Sequence, residues 1–237
     1  MMTDTDSLTP EEITALFTRA DGQYHFARWG RPIVPIVFGV QEETLQIMKG
    51  ALEAIAALSG HKLAETDPEI GANLMIFFFR DWQELLEVPN LDHMLPGLQD
   101  LVVRLDDAGA THYRTFRFDD QGAIRACFSF VRMDEAMAEV PAETIALGQA
   151  VQMILAWGNE AWTGRSPLGL ARGAAVLRPE VAAVIAAAYD PVMPAVSGDA
   201  SHALRLFARA NMMREKAEAA SARMAQDMAE AKLAPKG

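Results

Sequence analysis

Cysteine is almost absent from this sequence, since Cys127 is the only one among 237 residues. An internal disulfide is therefore impossible, and a metal site of the C-x-x-C type is excluded. Cys127 lies in a strand-like run, where a free cysteine is typically a small buried apolar residue.

Excess basic charge and long apolar runs are absent as well. The chain has 21 basic and 32 acidic residues and a net charge of -11, which argues against a nucleic-acid partner. No apolar run approaches the roughly 20 residues that cross a bilayer. The start, MMTDTDSLTPEEI, lacks the basic and apolar segments of a secretory signal. We therefore expect a cytoplasmic protein without a membrane partner.

The segments before residue 80 predict a βαβ unit. Thr9 to Glu12 form a capping box with Pro10 at the first helical position, which predicts a helix from Pro10 to about Arg19. The apolar run 33–39 predicts a strand near a sheet edge, because it contains proline. Apolar spacings of three and four predict a helix over 42–58. The uninterrupted apolar run 72–79 predicts a central strand that is parallel to the first.

The next segments add a hairpin to this sheet. Helical patterns lie near 82–87 and over 95–106, the second broken by Pro96 and Gly97. Alternating apolar and polar residues flank the turn 119–122. The predicted fold is therefore α+β, with a mixed sheet of at least four strands packed by helices.

After Val131 the sequence predicts an almost wholly helical half. Residues 140–158 predict a buried helix, a loop covers 158–173, and a further helix begins at Pro179 and stops before Pro191. A long helical pattern covers 199–232. We expect a single domain over 1–198 and a helical C-terminal extension over 199–237.

Small and apolar residues recur at spacings of four and three along this last helix. They are Met213, Ala217, Ala220, Met224, Met228 and Ala231, and we call them the Met/Ala seam. Charges of both signs flank the seam, as in helices that pack against other helices. Two alternatives remain open, namely packing on its own domain or binding of a partner helix through self-association or a second protein.

The order of these segments resembles an uncharacterised bacterial family of zincin-like domains of unknown function. The matching segments are Arg28-Trp29 through RPIVPIVFG, the helix ending in LSG, ANLMIFFFRD, the hairpin leading into FVRMD, the helix bearing Gln149, and LRPEVAAVIAAAYDPVMP. The resemblance implies a zincin-like fold over about residues 28–194. It also implies that the helix after the hairpin begins with histidine and two glutamates, followed by a glutamine.

The metal ligands of that family are missing from this chain. If Gln149 is the family's glutamine, Thr144, Ile145 and Ala146 occupy the positions of the histidine and the two glutamates. Glu143 is displaced by one position, which turns it by about 100 degrees around the helix. The histidines are scattered without metal-ligand spacing, at positions 25, 61, 93, 112 and 202. We therefore expect a degenerate member with no metal and no cofactor.

The sequence gives no better support for other kinds of catalytic or phosphate-binding site. Ser166 is followed by proline and lacks the turn that exposes a serine nucleophile. The glycines 164, 169 and 173 lack the lysine and the strand of a phosphate loop. Asp119 and Asp120 fit a hairpin turn better than a pair of catalytic carboxylates.

Five polar residues are candidates for a remnant cleft, with no catalytic role assigned. They are Arg132, Asp134, Glu143, Gln149 and Gln152. Arg132 and Asp134 fit a buried ion pair or a helix cap. Gln149 and Gln152 fit either side-chain amides that are satisfied by neighbouring groups or polar remnants of a cleft.

The sequence favours a non-catalytic, pseudo-metalloprotease-like binding or scaffold protein. One alternative is a metal-dependent hydrolase whose site is rebuilt from the scattered histidines and from carboxylates such as Glu143. The other is a small-ligand sensor with a cavity beside Gln149.

Overall fold

The computed structural model describes residues 8–65 and 71–233. Its helices and strands are α1 (Pro10–Leu16), β1 (Phe26–Ala27), β2 (Pro35–Phe38), α2 (Glu42–Ser59), β3 (Leu74–Phe79), a 3-10 helix (Trp82–Glu87), α3 (Leu91–Met94), α4 (Leu98–Asp107), β4 (His112–Phe118), β5 (Ile124–Arg132), α5 (Glu135–Ala138), α6 (Ala142–Ile154), β6 (Leu168–Ala171), β7 (Ala174–Leu177), α7 (Pro179–Ala188), β8 (Val196–Ser197) and α8 (Ser201–Leu233). No helix in the described ranges is long and apolar enough to cross a membrane.

A mixed four-stranded sheet has the order β2-β3-β5-β4. β2 and β5 both pair in parallel with β3, whereas β4 and β5 form an antiparallel hairpin. The hairpin turn is stabilised by Asp119, whose Oδ1 accepts hydrogen bonds from the backbone N–H groups of Gln121 and Ala123. The α+β class, the parallel unit and the hairpin are confirmed.

Both faces of this sheet are covered, which explains the unbroken apolar sequence of β3. Leu74, Ile76 and Phe78 point to one core, which includes α2, α6 and α7. Phe77 and Phe79 point to a second core, which the segment 82–105 covers. Because neighbouring side chains of a strand point to opposite faces, a strand with two buried faces has no polar positions.

The capping box of α1 is confirmed, since Thr9 and Glu12 exchange hydrogen bonds. The predicted end of this helix at Arg19 is wrong by three residues. After Leu16 the chain turns back, and the Arg19 N–H donates to the carbonyl of Gln23 at 2.9 Å. Gly22, with a φ of +79°, permits this turn.

The expectation of an almost wholly helical second half is wrong in two places. β6 and β7 form an antiparallel hairpin inside the predicted loop and beyond it. Its turn contains Arg172 and Gly173, which both have positive φ angles of 52° and 84°, as two-residue hairpin turns require. β8 pairs with β1 across about 170 residues of chain, through two residues on each side.

The first ten residues of α8 belong to the main core. Ala203, Leu206 and Ala210 are buried in this core, and His202 is buried as well. Within the Met/Ala seam, Met213 is partly buried against this core, whereas Ala217 and Ala220 are exposed. The side chains of Met224, Met228 and Ala231 lie outside the described residues.

Candidate functional site

The buried helix α6 is a core element whose C-terminal end lies inside the protein. Its last carbonyl groups would be costly to bury without donors. Three aromatic side chains supply these donors at 2.8 Å, since Trp157, Trp29 and Tyr189 donate to the carbonyl groups of Val151, Met153 and Ile154. This arrangement fixes the position where the chain leaves α6.

The positions that the family resemblance aligns with metal ligands carry no ligand chemistry. Ile145 and Ala146 are buried in the core, and Glu143 is exposed to solvent. Gln149 is buried and accepts a hydrogen bond of 3.0 Å from the Ser129 hydroxyl on β5. The structure therefore places Gln149 in a satisfied internal contact.

Arg132 and Asp134 lie at the end of β5 and make local contacts. The Arg132 guanidinium lies 3.3 Å from an Asp106 oxygen and 3.8 Å from Asp134. Asp134 caps α5, because its Oδ1 accepts from the Met137 N–H. Of the two alternatives for these residues, the structure shows the helix cap, and the ion pair is only partly buried.

A cleft of about 580 Å³ lies over the edge strand β4. Of the five candidate residues, only Gln152 lines it. The other lining residues come from the loop after α1, from β4 and from the loop after α6, and they are Arg19, His25, His112, Tyr113, Arg114, Thr115, Phe116, Phe118, Ala156, Trp157, Gly158, Asn159, Trp162 and Thr163. Its volume falls within the range of small-molecule pockets.

The side chains of β4 alternate between the two faces of the sheet, and those on one face form the floor of the cleft. Arg114 contacts Gln152 of α6, and Phe118 lies edge-on to His25 with ring centroids 5.3 Å apart. Arg117 points to the other face, where it donates to the carbonyl of Met94. Tyr113 and Thr115 also line the cleft.

Gly158 joins the two walls of the cleft. Its N–H donates to the carbonyl of Leu16 at 2.8 Å. A Cβ at this position would lie 2.2 Å from the carbonyl oxygen of Thr18, so only glycine allows this approach of the two backbones. The loop after α6 is thereby tied to the loop that carries Arg19 and His25.

Arg114 is the charged group at the floor of the cleft. It is partly buried, and its Nη1 donates to Gln152 Oε1 at 2.8 Å. Desolvation lowers its pKa. Among the described residues no carboxylate forms an ion pair with it, although the whole chain carries a net charge of -11.

Two histidines lie at the walls of the same cleft. Desolvation, and then the charge of Arg19, lowers the pKa of His25. His112 is exposed overall, yet desolvation of its ring and the nearby charge of Arg114 lower its pKa too. Both rings are therefore neutral at pH 7. No described lining residue is acidic.

The remaining histidines lie elsewhere. His61 Nε2 contacts the carbonyl of Arg31, His93 is exposed, and the buried His202 is hydrogen-bonded through Nδ1 to the Tyr24 hydroxyl. In the described ranges no three His, Cys, Asp or Glu side chains are close enough to hold one metal ion.

One wall of the cleft is aromatic. Trp157 stacks on Phe17 with centroids 5.0 Å apart. Trp162 lies edge-on to Trp157 at 4.9 Å, and it is partly exposed. A flat ring that enters the cleft would therefore meet aromatic surface near the positive charge of Arg114.

Sequence reasoning missed Arg114, and the signal was present in β4. The strand reads HYRTFRF, with His112 and Arg114 on the same face of a sheet that helices cover. An unpaired arginine on such a face indicates a polar cavity. The chain matches no protein-family model, no curated protein and no solved structure in the comparisons made.

Proposed function

We propose that this protein is a cytoplasmic, non-catalytic binding protein that holds a small organic ligand in the cleft over β4. The observation that carries the proposal is the cleft itself, with a volume of about 580 Å³ and a wall that combines aromatic rings with hydrogen-bonding groups. Small-molecule sites typically show this combination.

The walls of the cleft are held in place by contacts within the protein. The contact of Gly158 with Leu16 fixes one side, and the stacking of Trp157 on Phe17 packs against it. The hydrogen bond between Arg114 and Gln152 fixes the floor. A preformed site loses little conformational entropy on binding, which favours affinity.

The polar groups of the cleft are better suited to binding a ligand than to catalysing a reaction. A histidine base is normally oriented by a carboxylate, whereas the ring of His112 contacts the Thr111 hydroxyl at 3.1 Å. The thiol of Cys127 is buried beneath the strand, and burial raises its pKa to about 12. A thiol with such a pKa is unreactive at pH 7.

The cleft lies at a different position from the cavity that the sequence predicted for a small-ligand sensor. A sensor cavity was expected beside Gln149, which is buried against Ser129. The cleft lies beside Gln152, one helical turn further along. The rival metal hydrolase requires three converging donors, and no such group is present among the residues that the structure describes.

A screen of small ring compounds, neutral and acidic, tests the proposal by ligand-detected NMR. We expect hits that compete for one site, with dissociation constants below about 1 mM, which corresponds to roughly 4 kcal/mol of binding free energy. If no compound binds at several times that concentration, the proposal is wrong.

A further inference from the structure

We infer that the ligand of the cleft is a ring-bearing organic acid, whose single anionic group binds Arg114 and the side-chain amide of Gln152. This inference rests on the proposed function and adds the chemical class of the ligand.

Arg114 carries a positive charge that is partly removed from water. A guanidinium that is partly removed from water requires a counter-charge to offset its lost hydration. The described part of the chain provides none, since its only side-chain contact by hydrogen bond is the neutral amide of Gln152. Because the planar guanidinium presents paired N–H donors, a carboxylate matches it in both charge and shape.

Gln152 acts as a positioning residue in this arrangement. Arginine only donates hydrogen bonds, so the amide oxygen of Gln152 must face Arg114. Its NH2 group then points away from the guanidinium, and it makes no hydrogen bond to the described residues. The two donors of this NH2 group are available to the anionic group that Arg114 attracts.

The number of charges favours a monoanion. At pH 7 both His25 and His112 are neutral, because desolvation and neighbouring arginines lower the pKa of each ring. Arg19 also lines the cleft but is exposed to solvent, where water screens its charge. Arg114 is therefore the permanent positive charge at the floor, which matches one negative charge.

The aromatic wall defines the rest of the ligand. Trp162 and Trp157 form an edge-on pair beside the floor, and Phe116 lies under the Arg114 guanidinium with 6.0 Å between guanidinium carbon and ring centroid. Flat rings stack on such surfaces with additional stabilisation. The cleft volume of about 580 Å³ has room for a bicyclic acid.

Matched acid and amide pairs test the inference. 2-Naphthoate and 2-naphthamide have the same ring and nearly the same size but differ in charge. We expect calorimetry at pH 7 and low salt to give a dissociation constant for the acid that is about tenfold lower than for the amide, because the bond to Arg114 is charge-assisted.

Two variants test whether the preference for the acid over the amide arises at the floor of the cleft. Arg114→Gln removes the charge, and the isosteric Gln152→Glu supplies an internal carboxylate that pairs with Arg114. Each variant should bring the two dissociation constants together. Arg125→Gln is the matched control, because it removes a positive charge from an exposed position of β5 outside the cleft.

The outcomes distinguish a failure of this inference from a failure of the proposed function. Equal binding of acid and amide to the unaltered protein overturns the inference and leaves the proposed function standing. Binding of neither compound overturns the inference, whereas the proposed function fails only if no compound of the screen binds. An acid preference that survives in Gln152→Glu also overturns the inference, and that variant remains informative if Arg114→Gln does not fold.

Discussion

The Arg114 guanidinium on the edge strand β4 is joined by a 2.8 Å hydrogen bond to the side-chain oxygen of Gln152 on α6. This contact links a hairpin strand to a core helix 38 residues further along the chain. It holds a positive charge at the floor of a cleft in a strongly acidic protein. The proposed preference of the cleft for an acidic ligand depends on that charge.

Binding of an anion to the cleft should strengthen at acid pH. Desolvation, and then the charges of Arg19 beside His25 and of Arg114 beside His112, lower the pKa of each histidine. As the pH falls towards these lowered pKa values, both rings gain positive charge and attract an anion more strongly.

2-Naphthalenesulfonate is the suitable probe for this dependence, since its own charge stays constant between pH 7.5 and 5 (both approximate). We expect its dissociation constant to fall across this range, and the decrease to vanish when both histidines are replaced by asparagine. An affinity that is independent of pH in the unaltered protein would contradict the placement of the two rings.

The stability of the fold should decrease as the pH falls towards 4. His202 is fully buried between Tyr24 and Phe26, and burial followed by the charge of Arg205 lowers its pKa to about 4. The unfolded chain binds this proton near pH 6.5. The stabilisation is therefore complete above that pH and is lost between about 6.5 and 4, by roughly 2 to 3 kcal/mol.

Urea unfolding at several pH values measures this loss. His202→Gln should flatten the dependence in this pH range, because the replaced side chain does not titrate. The assignment to His202 fails if the variant and the unaltered protein lose equal free energy of unfolding between pH 7 and 4 (approximate limits).

Replacement by alanine should change the free energy of unfolding in opposite directions at Gly39 and Gly50. Gly39 has a φ of +80° at the end of β2, and a Cβ there would lie 1.9 Å from the carbonyl oxygen of Phe78. We expect Gly39→Ala to lower the free energy of unfolding by about 2 to 4 kcal/mol.

Gly50 is the matched control in the middle of α2, where no atom lies within 4 Å of an added Cβ. Gly50→Ala should raise the free energy of unfolding by about 0.5 to 1 kcal/mol, because alanine is the better helix former. Thermal unfolding of both variants checks the pair, and a stabilising Gly39→Ala would show that the turn after β2 is wrongly described.

The Met/Ala seam remains a proposal for association with a partner helix. Glu215–Ala220 are exposed on α8, beyond the part of the helix that packs on the core. Removing 221–237 leaves Ala210 and Met213 in place, so the shortened domain should fold. The seam hypothesis predicts, by sedimentation velocity, that the full chain self-associates and that the shortened chain is monomeric. The same oligomeric state for both proteins would contradict self-association through the seam.

The sequence predicted those features that depend on local patterns. The capping box at Thr9 and Glu12, the buried run of β3 and the turn at Asp119 each have a local signal and were found. β8 was missed, because two residues form it by pairing with a distant strand. The β6–β7 hairpin was missed, because its glycine-containing strands resemble a loop.

The candidate site was only partly predictable for a related reason. Gln152 was selected as a polar exception on α6, but its partner Arg114 lies on another element. The cleft also requires the backbone contact between Gly158 and Leu16, which is about 140 residues away in sequence. A single sequence carries no signal for such a contact, so the predicted cavity was placed beside Gln149.

The most direct test of the ligand cleft uses the four tryptophan side chains as internal reporters. Trp162 and Trp157 line the cleft. Trp29 and Trp82 are fully buried elsewhere, and their indole N–H groups donate to the carbonyl groups of Met153 and Ala110.

A titration with 2-naphthoate, followed through the indole N–H signals by NMR, would locate the bound compound. The account predicts a saturable shift of the Trp162 signal, with a smaller shift for Trp157 and an unchanged signal for Trp82 on the other side of the sheet. Saturable binding that leaves the Trp162 signal unchanged, or no binding at all, would contradict the account.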